Sequence, residues 1–317
     1  LPIADLFFRQ TYNRQLAIGN REAHPLPRGG TDLIAVTDLM TLTGEQLAQY
    51  QGDGFLVIED FVTSVACDRL RQRADQLVRD FDPSVVSVFS TDEHKHISDD
   101  YFLNSGDKIR FFFEADAFTE SGSLKQSKEL SINKIGHALH DLDPVFNEFS
   151  RAPQIVELIA DLGIERPLLL QGMYIFKQPR IGGEVTCHQD TTFLYTEPQQ
   201  IAGLWFALED ATVENGCLWA IPGGQTVGLK SRWQRTPRGM EFDVYDATPW
   251  DEEKLVPLEV EKGSVIILNG LLPHKSLANR STKSRHAYTL HVISADSSYP
   301  ETNWLQRSAD MPLRGFA

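Results

Sequence analysis

Between residues 168 and 293 the chain runs as short apolar segments cut by turn chemistry, and few folds can accommodate that rhythm. Segments 168–176, 203–208, 217–221, 265–268 and 285–293 are rich in apolar and aromatic residues. Gly182-Gly183, Asn215-Gly216, Pro222-Gly223-Gly224 and Asn269-Gly270 separate them. Asn-Gly favours the positive backbone angles of tight turns, so it is a strong hairpin signal. Short strands with regular turns and almost no helix between them predict a barrel or jelly roll.

The first half has a different period. Thr43 followed by Gln46 fits a capping box, opening a short helix that stops near Gly52 and Gly54. Residues 55–58 read as a buried strand. From Ser64 onward, Cys67, Leu70, Ala74, Leu77, Val78 and Phe81 recur every three or four residues, the stripe of an amphipathic helix that Pro83 ends. Residues 84–106 are polar and loop-like, 109–113 are a strand candidate, and 132–140 and 155–162 read as helices. The expected organisation is an irregular lead-in over 1–42 and one domain over 43–317. Within that domain a helical buttress lies mainly at 43–165 and a β core mainly at 166–295. The fold class is mainly β with flanking helices.

Charge narrows the partners. The 317 residues carry 30 Lys+Arg against 44 Asp+Glu, a formal net charge of −14. Nucleic acids and anionic membranes reward clustered cations, so neither is expected as a partner. A small anion in a local basic pocket remains compatible. No apolar run approaches the roughly 20 residues of a spanning helix. Three cysteines, Cys67, Cys187 and Cys217, make no disulfide framework. An intracellular, reducing compartment is expected, the cytoplasm ahead of a peroxisome-like organelle. Oligomeric state is not legible.

The segment carrying the most chemistry is Gly182-Gly183-Glu184-Val185-Thr186-Cys187-His188-Gln189-Asp190. On a strand, residues two apart share a face, so His188 and Asp190 would point together. Such a pair is either a solvated surface couple or two-thirds of a two-His-one-carboxylate set, which leaves metal positions open for substrate and oxygen. His274, just after a strand and its Asn269-Gly270 turn, is the best third ligand. Arg285 follows eleven residues later and opens the next strand. It is either one more solvated cation of the run Lys275, Arg280, Lys283, or a planar fork for a carboxylate. Ser276 would add a hydroxyl beside it.

Other features have plainer readings. His137 and His140 read as a helix-surface pair, and His94 and His96 sit in a polar loop. Of His286 and His291, parity lets only His291 face a cavity with Arg285. Lys230, Arg232, Arg235 and Arg238 around Trp233 read as a mobile basic loop, with contact to an acidic substrate as the alternative. Cys187 reads as an inert thiol.

Taken together, several segments resemble the phytanoyl-CoA dioxygenase family. They are His188-Gln189-Asp190, Glu209-Asp210-Ala211 through Asn215-Gly216-Cys217-Leu218, Ile221-Pro222-Gly223, and His274-Lys275-Ser276 through Arg285. The resemblance extends over about residues 45–312, with YFLNSGDKIRFFF, SINKIGHALH, MYIFKQP, HQDTTFLYTEP and ETNWL as further segments. It implies a double-stranded β-helix (a jelly-roll or cupin-like core) that binds Fe(II) and the co-substrate 2-oxoglutarate, with ascorbate as a reductant. By the same matching, His188, Asp190 and His274 would hold the metal, and Arg285 with Ser276 the distal carboxylate. Lys134, Met173 and Trp205 would line the co-substrate pocket. From the residues alone, Met173 and Trp205 are core positions and Lys134 a solvated helix charge. One position departs: where family members often carry a His after the Pro-Gly pair, this chain has Gly224-Gln225.

The expected activity is hydroxylation of an aliphatic C–H on a small organic substrate by molecular oxygen, with 2-oxoglutarate decarboxylated to succinate and CO2. Related halogenases lack the carboxylate ligand, so Asp190 implies hydroxylation. Two alternatives stand beside it. A jelly-roll binding protein without turnover would not need an intact ligand set, and a metal hydrolase on the same ligands would have no use for Arg285.

Overall fold

The computed structural model describes residues 41–83, 87–89 and 100–316; His94 and His96 lie outside them, as does the lead-in up to residue 40. An eight-stranded sheet has the spatial order β1 (Phe55–Ile58), β12 (Val265–Asn269), β7 (Ile201–Ala207), β14 (Ala287–Ser294), β5 (Pro167–Ile175), β4 (Ile132–His137), β3 (Ile109–Glu114) and β2 (Val88–Phe89). A four-stranded sheet contains β11 (Val256–Leu258), β8 (Leu218–Ala220), β13 (His274–Ser276) and β6 (Val185–His188). A separate ribbon pairs β9 (Ser231–Thr236) with β10 (Gly239–Val244).

Both faces of the large sheet are buried, and strict alternation decides what each face does. On β7 and β14 the outward residues Leu204, Phe206, Tyr288 and Leu290 join one apolar cluster with Cys67, Leu70, Ala74 and Val78 of helix α2 (Ser64–Asp80). Phe149 of a later helix (Pro144–Ser150) meets Phe206 edge-on at 5.1 Å. The inward residues Trp205, Ala207, Ile266 and Ala287 pack on Leu218, Ala220 and Leu258 of the small sheet. This second cluster closes one end of the sandwich and leaves the other end for a cavity.

Local chemistry sets the element ends as expected. Helix α1 (Gly44–Asp53) starts with a full capping box, Thr43 Oγ1 accepting from Gln46 N–H and Gln46 Oε1 accepting from Thr43 N–H. It stops at Gly54, whose φ of +79° suits glycine. Leu42, inside the expected lead-in, is buried in the first cluster and donates its N–H to Asp161 Oδ2 at 2.7 Å.

Three expectations are corrected. Residues 132–137 form a strand, not a helix. Ile132, Ile135 and Leu139 have helical spacing, but every residue of β4 is buried, so the strand has no polar face to show its period. Lys134 read as a solvated charge because its partners are distant in sequence, and the neighbouring Asn133 is likewise buried, donating to Glu114 Oε2 at 2.9 Å. The Asn-Gly pairs do not close hairpins either. Each sits where the chain leaves the large sheet for the small one, β7 to β8 and β12 to β13. The amide chemistry is that of a turn, with Asn269 Oδ1 accepting from Leu271 N–H, but the turn is a corner between layers. Finally, the segment expected to be a helical buttress also supplies β1 to β4, half of the large sheet.

Candidate metal centre and cationic pocket

The cavity encloses about 230 Å3 between the two sheets, and all eight residues singled out from the sequence line it: His188, Asp190, His274, Arg285, Ser276, Lys134, Met173 and Trp205. β6 and β13 are paired so that His188 stands opposite His274, with ring centroids 4.4 Å apart. Asp190 is not on the strand with His188 as expected. β6 ends at His188, and Asp190 opens a single helical turn, α7 (Asp190–Phe193). That turn brings Asp190 Oδ1 to 3.6 Å from His188 Nε2 and 3.8 Å from His274 Nε2.

Hydrogen bonds fix both imidazole tautomers. His188 Nδ1 lies 2.8 Å from the Thr186 carbonyl, and His274 Nδ1 lies 3.0 Å from the Leu272 carbonyl. A carbonyl only accepts, so each Nδ1 carries the proton and each Nε2 presents a lone pair. Burial pushes His274 down to about 4, so its ring is neutral. Burial alone would raise the Asp190 pKa, but His291 and His274 beside it hold it well below the usual carboxylate range. Two imidazole nitrogens and a carboxylate oxygen thus converge within 4.8 Å of one another. Converging lone pairs repel unless a cation sits among them, and this donor set suits iron. The three could hold a metal ion.

Asp190 is also braced from the large sheet. His291 Nε2 stands 3.3 Å from Asp190 Oδ2, on the face parity predicts. Position 203 is glycine where a Cβ would come within 3.2 Å of that oxygen. His286, on the opposite face, bonds the Tyr174 hydroxyl at 2.8 Å instead.

Deeper in, the pocket turns cationic. Arg285 is 2% exposed, donates Nε–H to the Gly216 carbonyl at 3.0 Å, and sits 5.0 Å from the Trp205 ring centroid. Its Nη1 is buried without a partner, and no carboxylate lies within ion-pair distance among the described residues. Burial pushes its pKa down to about 10. Lys134, also buried, has Nζ 3.4 Å from the Phe89 ring centroid, and burial pushes it down to about 7. Lys177, missed from the sequence, is 2% exposed and lines the same wall. The available signal was a lysine directly after an apolar strand whose side chain had to go inward. A chain of net charge −14 therefore keeps three buried basic side chains in the wall of one cavity.

The remaining expectations sort cleanly. The basic segment 230–238 is not a loop but mostly β9, whose Trp233 is buried at the cavity's aromatic end with Phe102, Phe193 and Trp304. Lys230 is buried and stacked 4.2 Å from the Trp250 ring centroid. Gln225, at the departing position, faces away from the cavity and donates to Gln51 and Gly52 carbonyls at 3.1 Å, tying off α1. His137 and His140 are buried separately, His137 bonding Ser105 Oγ at 2.6 Å. Burial pushes the Cys187 thiol up to about 11, as an inert thiol requires.

A double-stranded β-helix with a His-Asp-His cluster and a buried guanidinium defines a class, the non-haem oxygenases that use 2-oxoglutarate. The phytanoyl-CoA dioxygenase profile matches residues 50–287, and the chain belongs to that family; it is a 2-oxoglutarate-dependent dioxygenase. A phytanoyl-CoA dioxygenase of Arabidopsis thaliana is 49% identical over 86% of this chain and 96% of its own length. Phytanoyl-CoA dioxygenase domain-containing protein 1 of Rattus norvegicus is 45% identical over 86% of this chain and 97% of its own length. Among solved structures, the epimerase SnoN in complex with Fe3+, α-ketoglutarate and nogalamycin RO superposes with a TM-score of 0.58 at 14% identity, over 84% of this chain and 90% of that one. Among the described residues, no helix is long and apolar enough to cross a membrane.

Proposed function

We propose that the protein hydroxylates an aliphatic C–H of a small organic substrate, using Fe(II) held by His188, Asp190 and His274 and the co-substrate 2-oxoglutarate. The observation that carries this reading is the Arg285 guanidinium, fully buried with an idle Nη1 and no counter-ion among the described residues. An unpaired buried cation costs on the order of several kcal/mol, so such a group is kept for an anion that arrives. The iron, when bound with the ketoacid and oxygen, supplies the oxidising power.

The chain's own residues do the rest. Arg285 and Ser276 hold the distal carboxylate of 2-oxoglutarate. Met173 and Trp205, adjacent inward positions across β14 through Thr289, form its walls. Lys134 contributes positive charge to the same pocket. Trp205, the ring under Arg285, and Gly203, the glycine beside Asp190, are successive inward residues of β7, roughly 7 Å apart along the strand. That suits a five-carbon diacid bound head to tail. The aromatic end, with Phe102, Phe193, Trp233 and Trp304, excludes water and receives the apolar part of the substrate. The three cysteines are unpaired, which supports a reducing compartment, where Fe(II) and ascorbate coexist.

Incubation with Fe(II), ascorbate and 2-oxoglutarate tests the reading. Succinate release is expected. Its absence, with metal and 2-oxoglutarate both bound, would favour a binding protein without turnover.

A further inference from the structure

Lys177 emerges from the end of β5 into the wall between Arg285 and Ser276, and its contacts decide the direction of one proton. Its Nζ donates to the Gly183 carbonyl at 2.6 Å and lies 2.8 Å from Ser276 Oγ and 3.5 Å from the Ser276 carbonyl. An ammonium has only donors. Ser276 Oγ therefore accepts from Lys177 and must send its own O–H elsewhere, and no acceptor for it is present among the described residues. Gly216 sets the cations side by side. Its carbonyl accepts from Arg285 Nε, its φ is +86°, and a Cβ there would fall 2.7 Å from Lys177 Cε. The same lysine ties the Gly182-Gly183 loop to β13, while Glu114 Oε2 takes the Gly183 N–H at 3.1 Å on the other side.

We propose that Lys177 is a positioning residue for the co-substrate: it holds the Ser276 hydroxyl as an acceptor, so that the Ser276 proton and the idle Arg285 Nη1 both point to the distal carboxylate of 2-oxoglutarate. The inference rests on the function proposed above and goes beyond it in making dicarboxylate selectivity depend on a residue outside the Arg285–Ser276 pair. A 2-oxo acid without a distal carboxylate has nothing for this device to hold.

The test is anaerobic calorimetric titration of the Fe(II)-loaded protein with 2-oxoglutarate and with 2-oxobutyrate, which keeps the ketoacid head and lacks the far carboxylate. Wild type is expected to prefer 2-oxoglutarate. Lys177→Met should weaken 2-oxoglutarate by roughly tenfold or more, the scale of one charge-assisted hydrogen bond, and change 2-oxobutyrate less than about twofold. Ser276→Ala should show the same selective loss, and in its background Lys177→Met should cost much less, because the two act through one hydroxyl. Unchanged 2-oxoglutarate affinity in Lys177→Met, or additive losses in the double variant, overturns the inference. Equal losses for both acids overturn it too, since a collapsed site would lose both. If Lys177→Met does not fold, the Ser276→Ala arm decides: a preference for 2-oxoglutarate undiminished from wild type refutes the proposed proton direction. Wild type that binds neither acid refutes the proposed function instead.

Discussion

Arg285 lies over the indole of Trp205, 5.0 Å from its ring centroid, with no carboxylate within ion-pair distance among the described residues. The aromatic face offsets part of the cost of burying the guanidinium, and the Gly216 carbonyl orients it. Its Nη1 is left without a partner among the described residues.

Replacing Arg285 by alanine should chiefly weaken 2-oxoglutarate. A charge-assisted bidentate contact is worth about 1.5–3 kcal/mol, so the apparent affinity in succinate-release kinetics should fall about 10- to 100-fold. Turnover at saturating 2-oxoglutarate should change less. Unaltered affinity would remove Arg285 from the clamp.

Asp190→Ala should abolish turnover without unfolding the protein. The change deletes a metal donor and a bond to His291 but little core volume. Succinate release should fall at least ~100-fold, while the melting temperature of the metal-free variant stays within about 4 °C of metal-free wild type. Full activity in a folded variant would end the assignment.

Gly203→Ala probes the brace behind that carboxylate. A methyl group there would sit 3.2 Å from Asp190 Oδ2 and 3.6 Å from Leu268 Cβ. The Leu268 contact is ordinary, whereas the carboxylate must shift by a few tenths of an ångström. Fe(II) affinity, read by anaerobic titration, should drop about tenfold with little change in the thermal stability of the metal-free protein. An unchanged iron affinity would show that Asp190 is not held by its contact with β7.

The pH dependence of co-substrate binding follows from Lys177. Burial pushes its pKa down to about 7, and Arg285 beside it pushes in the same direction, against Glu114, Glu184 and Cys217. Below that pH the ammonium donates to Ser276. Above it a neutral amine can accept the Ser276 proton and turn the hydroxyl away from the ligand. Affinity for 2-oxoglutarate should therefore decline as pH rises from about 6 to about 9, and binding should take up a proton near neutrality. Calorimetry in buffers of different ionisation enthalpy reads that uptake; a flat profile without proton uptake would contradict it.

The strands, the α2 stripe and the Thr43 cap were legible because their signals are local. The His-Asp-His cluster was legible for a related reason: Gln189, between His188 and Asp190, is itself extended, so H-x-D keeps its two side chains on one side even though Asp190 opens a helical turn. What sequence hid was burial of polar groups. Lys134 read as solvent-facing and Lys177 went unremarked because the aromatic rings and carbonyls that receive them come from elsewhere in the chain. Likewise the basic segment around Trp233 looked mobile because pairing with β10 lies beyond its own residues. Asn-Gly marked turns correctly, but the layer each turn leads to depends on the whole sandwich.

Because the two imidazoles belong to the small sheet and the carboxylate is braced by the large one, an ion bound by all three would act as a rivet through the sandwich. Loading the metal would then do more than prepare a reaction centre: it would fasten the seam between the layers, making resistance to unfolding a direct gauge of occupancy.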